Sequence, residues 1–216
     1  MIQFTRMQGI ARASARLKTS CGGLLIAVFS VVSPLLATDL PVFNGSFEEG
    51  FEEETKISNW LLVNGPEGTW GRWAATTGNL MPAEGNALLF VNGASAVAVQ
   101  LLKDAPITPG KYVFSMQAAF PENVSARGVQ IAVYAIPTTD EKEAKFTLLG
   151  EKSAATNELS AAWKTLEVPI DIPEGSPHLG HYFQINITSG VTEPNAPLPA
   201  QVDVDDVKAK RLEQLE

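Results

Sequence analysis

From residue 38 onward the chain alternates between apolar and polar or small positions. Tyr112, Phe114, Met116, Ala118 and Phe120 interleave with Val113, Ser115, Gln117 and Ala119. Val129, Ile131, Val133 and Ala135 interleave with Gln130, Ala132, Tyr134 and Ile136, and His181, Phe183, Ile185 and Ile187 with Tyr182, Gln184, Asn186 and Thr188. A two-residue period puts successive side chains on opposite faces of an extended strand. Further short runs rich in β-branched and aromatic residues occupy 57–63, 69–75, 86–92, 95–102, 145–150, 162–172 and 201–210. Turn signals such as Asn64-Gly65, Asn92-Gly93 and Pro109-Gly110 separate them. About ten short strands with no long helical pattern predict an antiparallel sandwich or barrel. There is no internal repeat and no βαβ alternation, so a Rossmann-type fold is not expected.

The first 37 residues break this pattern. Residues 1–23 are basic and polar, and residues 24–37 (LLIAVFSVVSPLLA) form an uncharged apolar run of fourteen. That suits the core of an export signal and falls short of the roughly 20 residues a membrane-spanning helix needs. Cleavage after Ala37 would leave residues 38–216 as one soluble, secreted or periplasmic domain, with no membrane association once the signal is removed. The alternative is an uncleaved anchor, which Pro34 within the run opposes. Cys21 precedes the apolar run, so it is not placed as a lipoprotein cysteine.

Charge follows the same division. Residues 1–37 hold Arg6, Arg12, Arg16 and Lys18 and no acid, which leaves 12 basic and 24 acidic residues in the remaining 179. Such acidity argues against nucleic acid, whose affinity rests on neutralising phosphates with Lys and Arg. Cys21 is the single cysteine, so disulfides and thiolate metal sites are excluded.

The two ends of residues 38–216 carry short motifs. Near the start stands Val42-Phe43-Asn44-Gly45-Ser46-Phe47-Glu48-Glu49-Gly50, followed by Ile57-Ser58-Asn59-Trp60; near the end stands Val202-Asp203-Val204-Asp205-Asp206-Val207. Between them, Val97 to Gln100 and Pro109-Gly110-Lys111-Tyr112-Val113-Phe114 complete the series. Together these resemble the galactose-binding-like jelly-roll superfamily, and in particular its secreted carbohydrate-binding modules. The resemblance implies an all-β, antiparallel jelly-roll β-sandwich of about 8–10 strands over 38–216. It also implies a structural calcium ion, with Glu48 and Asp205 as its side-chain ligands; hard carboxylate oxygens suit that ion. The alternative is that Glu48 caps a turn and Asp205 bonds a backbone amide, without metal.

Candidate binding residues follow from the polar strand faces. Gln130 and Tyr134 share one face of their strand, and Tyr182, Gln184 and Asn186 one face of theirs. Planar amides and phenols on a sheet surface suit a sugar, which presents apolar C–H patches beside hydroxyls. Trp70 and Trp73, around Arg72, could stack a sugar ring from a loop while Arg72 bonds a hydroxyl. A solvated outer face, or a Trp closing the sandwich end, are the alternatives.

Catalytic patterns are scarce. His178 and His181 lie among Pro173, Gly175, Pro177 and Gly180, which exclude the helix that a zinc-protease arrangement needs. No nucleophile elbow, phosphate loop or cysteine nucleophile is present. The expected product is therefore a non-catalytic, secreted glycan-binding module, with a polysaccharide or other glycan as partner. The competing reading is a structural or protein-interaction domain without a sugar site.

Overall fold

The computed structural model describes residues 36–53, 56–63, 70–74, 80–91, 96–120, 125–126, 128–138, 145–190 and 200–213. Nearly all of the apolar leader, the Asn64-Gly65 and Asn92-Gly93 pairs and most of the 189–200 loop lie outside the described residues. All described residues belong to the unit Ser33–Glu216.

In chain order the strands are β1 (Leu36–Asp39), β2 (Phe51–Glu53), β3 (Lys56–Ile57), β4 (Trp60–Val63), β5 (Trp70–Ala74), β6 (Ala87–Val91) and β7 (Val97–Pro106). They continue as β8 (Gly110–Ala119), β9 (Ser125–Ala126), β10 (Val129–Ile136), β11 (Thr147–Ala154), β12 (Lys164–Ile172), β13 (Tyr182–Ser189) and β14 (Ala200–Glu213). One 3-10 turn, Thr156–Glu158, interrupts them. The first sheet runs β12-β8-β14-β6-β5, with β1 and β9 also on β14; the second runs β11-β10-β13-β7-β4-β3-β2. Each described pairing is antiparallel except the short β9–β14 contact. The all-β sandwich expected from the alternation is the observed fold. Among the described residues fourteen strands stand where about ten were expected, because one run is divided and three short strands, β1, β2 and β9, lie outside the expected runs. The divided run is 57–63, split at Asn59, which sits at φ 66.

The core is filled by one face of each strand. Tyr112, Phe114 and Met116 from β8 meet Phe183, Ile185 and Ile187 from β13, and all are buried. The Phe183 ring lies 4.9 Å from that of Tyr112 and 5.0 Å from that of Phe114. Burying each such side chain contributes about 1.5–3 kcal/mol. The Tyr112 hydroxyl, which an apolar core would strand, donates to the Thr108 carbonyl at 2.7 Å.

The two chain ends close on each other. The Val207 amide donates to the Gly45 carbonyl at 2.9 Å. A Cβ on Gly45 would lie 2.1 Å from the Val207 carbonyl oxygen, so only glycine allows this approach. Trp60 is fully buried, packs 5.5 Å from Phe47, and donates its indole N–H to the carbonyls of Phe43 and Asn44. Trp163 differs from Trp60: it is half-buried against a separate small cluster of Leu80, Leu88 and Ala119.

Candidate functional site

The outer faces of the sheets can be read from register. On the second sheet, Tyr134 lies opposite Gln184, and Gln184 opposite Leu101. One row along, Ala132, Asn186, Val99 and Leu61 stand side by side across four strands. A third row holds Gln130, Thr188, Val97 and Val63. Neighbouring strands lie about 4.8 Å apart, so these residues tile one continuous surface. Its β10–β13 half is polar and its β7–β4 half is aliphatic.

An open cleft of about 980 Å³ lies over this surface. Tyr134, Gln184 and Asn186 line its polar side, and Leu61, Val99 and Leu101 line its aliphatic side. Phe43 and Phe146 form aromatic rims, 44% and 55% exposed, and the Phe146 ring stands edge-on to Tyr134 at 6.3 Å. A bulge in β7 opposite Tyr182–Gln184 carries Lys103 and Asp104 to the cleft. Bulges commonly re-aim side chains in this way beside functional sites.

The Phe43 rim is fixed from below. Gln100, 2% exposed, accepts from the Phe43 amide at 2.9 Å and donates to the Phe43 carbonyl at 2.7 Å. It also donates to the Asn59 carbonyl at 3.2 Å. Asn44, in the left-handed region at φ 49, ties the same segment to Glu49 and Ser58. Gln100 was absent from the sequence candidates. A polar residue at a core-facing strand position was the available signal, because such a group must find partners when buried.

Of the expected binding residues, the structure brings together Tyr134, Gln184 and Asn186. Gln130 and Tyr182 lie on the same sheet face but outside the cleft lining. Gln130 instead bonds Glu151 on β11 at 2.9 Å, and Tyr182 stands at the far end, opposite Ile136 and Pro106. The backbone of Trp70, Arg72 and Trp73 belongs to the other sheet. They lie on β5 at the end of the first sheet, where the Arg72 guanidinium donates to the carbonyls of Phe47 at 2.5 Å and Glu48 at 2.8 Å. Arg72 therefore clamps the N-terminal segment.

Glu48 and Asp205 both bond the turn before β6, each through its own backbone amides. Glu48 Oε1 accepts from the Asn86 and Ala87 amides at 2.7 and 2.8 Å. Asp205 Oδ2 accepts from the Glu84 amide at 2.9 Å and its Oδ1 from the Asp206 amide at 2.7 Å. Gly85 sits between them at φ 65, and a Cβ there would fall 2.3 Å from Glu48 Oε1. Asp205 is fully buried, and burial pushes its carboxyl up to about 6 against the pull of the backbone amides. A cation beside it would relieve that desolvation. These bonds are those of the metal-free alternative, a turn cap at Glu48 and backbone amide partners for Asp205; an ionised carboxylate keeps further lone pairs, so a calcium ion sharing the turn is compatible with them. Among the described residues no three or more His, Cys, Asp or Glu side chains gather as a metal site. His178 and His181 stack edge-on at 5.5 Å in the turn before β13.

No family model matches the chain, and no curated protein matches it in sequence. Its fold, however, recurs in solved structures. A Stig cyclase from Fischerella sp. TAU, solved with an indole-containing ligand, superposes with a TM-score of 0.61 at 21% identity. That match covers 84% of this chain and all of the cyclase. A bacteriophage CBA120 tailspike domain matches at 0.52 and 14% identity, over 79% of this chain and 21% of its own. The CBM22-1 xylan-binding domain of Paenibacillus barcinonensis Xyn10C gives 0.49 at 13% identity, over 84% and 97% of the two chains. The expectation that the chain is not an enzyme is corrected here. It rested on missing catalytic motifs, and the cyclases are enzymes built on the same framework without them being a requirement of the fold. What the likenesses above a TM-score of 0.5 establish is the fold alone, a jelly-roll β-sandwich.

Proposed function

We propose that the cleft on the second sheet binds a neutral glycan chain, and that the protein is exported to meet it. The observation that carries this reading is the juxtaposition of Tyr134, Gln184 and Asn186 with the aliphatic strip of Val99, Leu101 and Leu61. A sugar ring needs both halves: an apolar surface for its C–H face and planar groups for its hydroxyls. Binding at each ring is weak, because every hydroxyl exchanges water for a partner of similar strength. The open form of the cleft suits a chain that lies across it and adds up such contacts.

A structural calcium ion held by Glu48 and Asp205 belongs to the same proposal. It would fix the turn before β6, on the other sheet, and perform no chemistry at the cleft. A second reading draws on the aliphatic half and the exposed Phe43 and Phe146 rims: a compact aromatic ligand would also bury apolar surface there. Isothermal titration with neutral oligosaccharides and, separately, with a soluble indole discriminates the two. Glycan binding that Tyr134→Ala weakens supports the first; saturable indole binding with no glycan binding replaces it with the second.

A further inference from the structure

The cleft contains one polar pair whose hydrogen-bonding capacity is fixed by its own geometry. Gln184 and Asn186 are two residues apart on β13, so both project to the cleft side. Gln184 Nε2 donates to Asn186 Oδ1 at 2.7 Å. Gln184 is only 8% exposed although it lines the cleft. Neither side chain makes another hydrogen bond that the described residues show.

Each primary amide has an acceptor oxygen and a donor nitrogen. Once one donates to the other, Gln184 presents its whole carbonyl oxygen and Asn186 its whole amino group. The pair then offers the Gln184 oxygen as an acceptor beside the Asn186 amino group as a donor, with the second Gln184 N–H between them. Turning both amides over exchanges their roles but leaves the same offer, so the result does not depend on which atom is oxygen and which nitrogen.

We propose that this pair reads two neighbouring hydroxyls of a neutral pyranose whose apolar face lies on Val99 and Leu101. The inference rests on the glycan reading of the cleft. A hydroxyl both donates and accepts, so two adjacent ones satisfy an acceptor and a donor together. A carboxylate presents only acceptors and an ammonium only donors, and each would leave half of the pair unsatisfied. An acetamido substituent replaces one of the two hydroxyls by an N–H that only donates, so it fits in one orientation at most and brings its acetyl group against the pair. The pair therefore selects unsubstituted vicinal diols over N-acetylated or charged sugars.

The test uses the full chain with cellohexaose, mannohexaose and chitohexaose, three β-linked chains that differ at carbon 2. Cellohexaose and mannohexaose keep the hydroxyl pair, so both should bind with affinities of the same order. Chitohexaose should bind more weakly by about two- to tenfold, the worth of one lost hydrogen bond. Asn186→Asp replaces the free donor with an acceptor at constant shape. It should weaken cellohexaose binding by a similar factor while the melting temperature stays near that of wild type. Chitohexaose binding equal to cellohexaose, or an Asn186→Asp variant that binds unchanged, overturns the diol inference and leaves the glycan reading standing. Failure of all three sugars to bind the wild-type chain overturns both.

Discussion

The two sheets share a core but treat their outer faces oppositely. On the first sheet, Leu80, Leu88 and Ala119 form a second small cluster, with Phe90 and Trp163 packed on it. The Trp163 indole donates to the Met81 carbonyl at 2.8 Å and pins that cover in place. Asp203, set between Phe90 and Ala119 in register, is sealed beneath it at 0% exposure. On the second sheet, Tyr134 and Asn186 stay half-buried beside exposed Leu61, Val63 and Phe146. One face spends its side chains on stability; the other keeps apolar and polar groups available to a ligand. The framework alone therefore says little about activity, and the open face says where to look.

The largest effect should come from breaking the seal. Leu88→Ala removes a fully buried side chain and should destabilise the domain by about 2–5 kcal/mol in denaturant unfolding. Glycan affinity measured below the transition should be unchanged.

Acidity sharpens the same contrast. Burial pushes the Asp203 carboxyl up to about 7, opposed only by its bond from Gln201 at 2.6 Å. A carboxyl whose folded value is raised holds its proton longer in the native state than in the unfolded chain. Stability from this group is therefore present at low pH and is lost as pH rises from about 4 to about 7, by roughly 1.4 kcal/mol per unit of difference. Melting temperatures between pH 5 and 8 should fall in wild type and fall less in Asp203→Asn, where the raised Asp205 carboxyl still contributes below about pH 6. A wild-type profile that is flat, or that rises with pH, would show that the carboxyl is not sealed.

Calcium gives the next effect. An ion bound only by the folded state adds about 2.7 kcal/mol at a hundred times its dissociation constant. Chelator should lower the melting temperature, and Asp205→Ala should remove that sensitivity. Indifference of the wild type to chelator excludes the ion.

The smallest stability change is expected at the open face. Tyr134→Ala should shift unfolding by about 1 kcal/mol or less, as for a partly exposed group. It should still reduce glycan retention in affinity electrophoresis. A large stability loss there would make Tyr134 a packing residue.

Much of this was legible in the alternation of side chains. Period two on β8, β10 and β13 identified both the core set and the polar set, so Tyr134, Gln184 and Asn186 were found before any geometry. What alternation cannot carry is which strands become neighbours. Trp70, Arg72 and Trp73 had the right chemistry for a sugar, but β5 pairs with β6 in the other sheet. The β7 bulge that brings Lys103 and Asp104 to the cleft has no local signature, since it is defined by the partner strand. Glu48 and Asp205 are 157 positions apart and bond the same turn, in a fold where Gly45 lets its segment approach Val207. The exclusion of catalysis failed for a different reason: motif absence constrains only those folds whose chemistry depends on motifs.

If ligand recognition belongs to the open face of the second sheet, that face alone responds to a bound sugar. Amide and side-chain NMR shifts recorded while cellohexaose is titrated into the full chain test it most directly. Shifts that saturate together at Tyr134, Gln184, Asn186 and Val99, with Leu88 and Trp163 unmoved, are the predicted result. Saturating shifts centred on Trp70 to Ala74 or around Trp163, with the cleft residues silent, would contradict it.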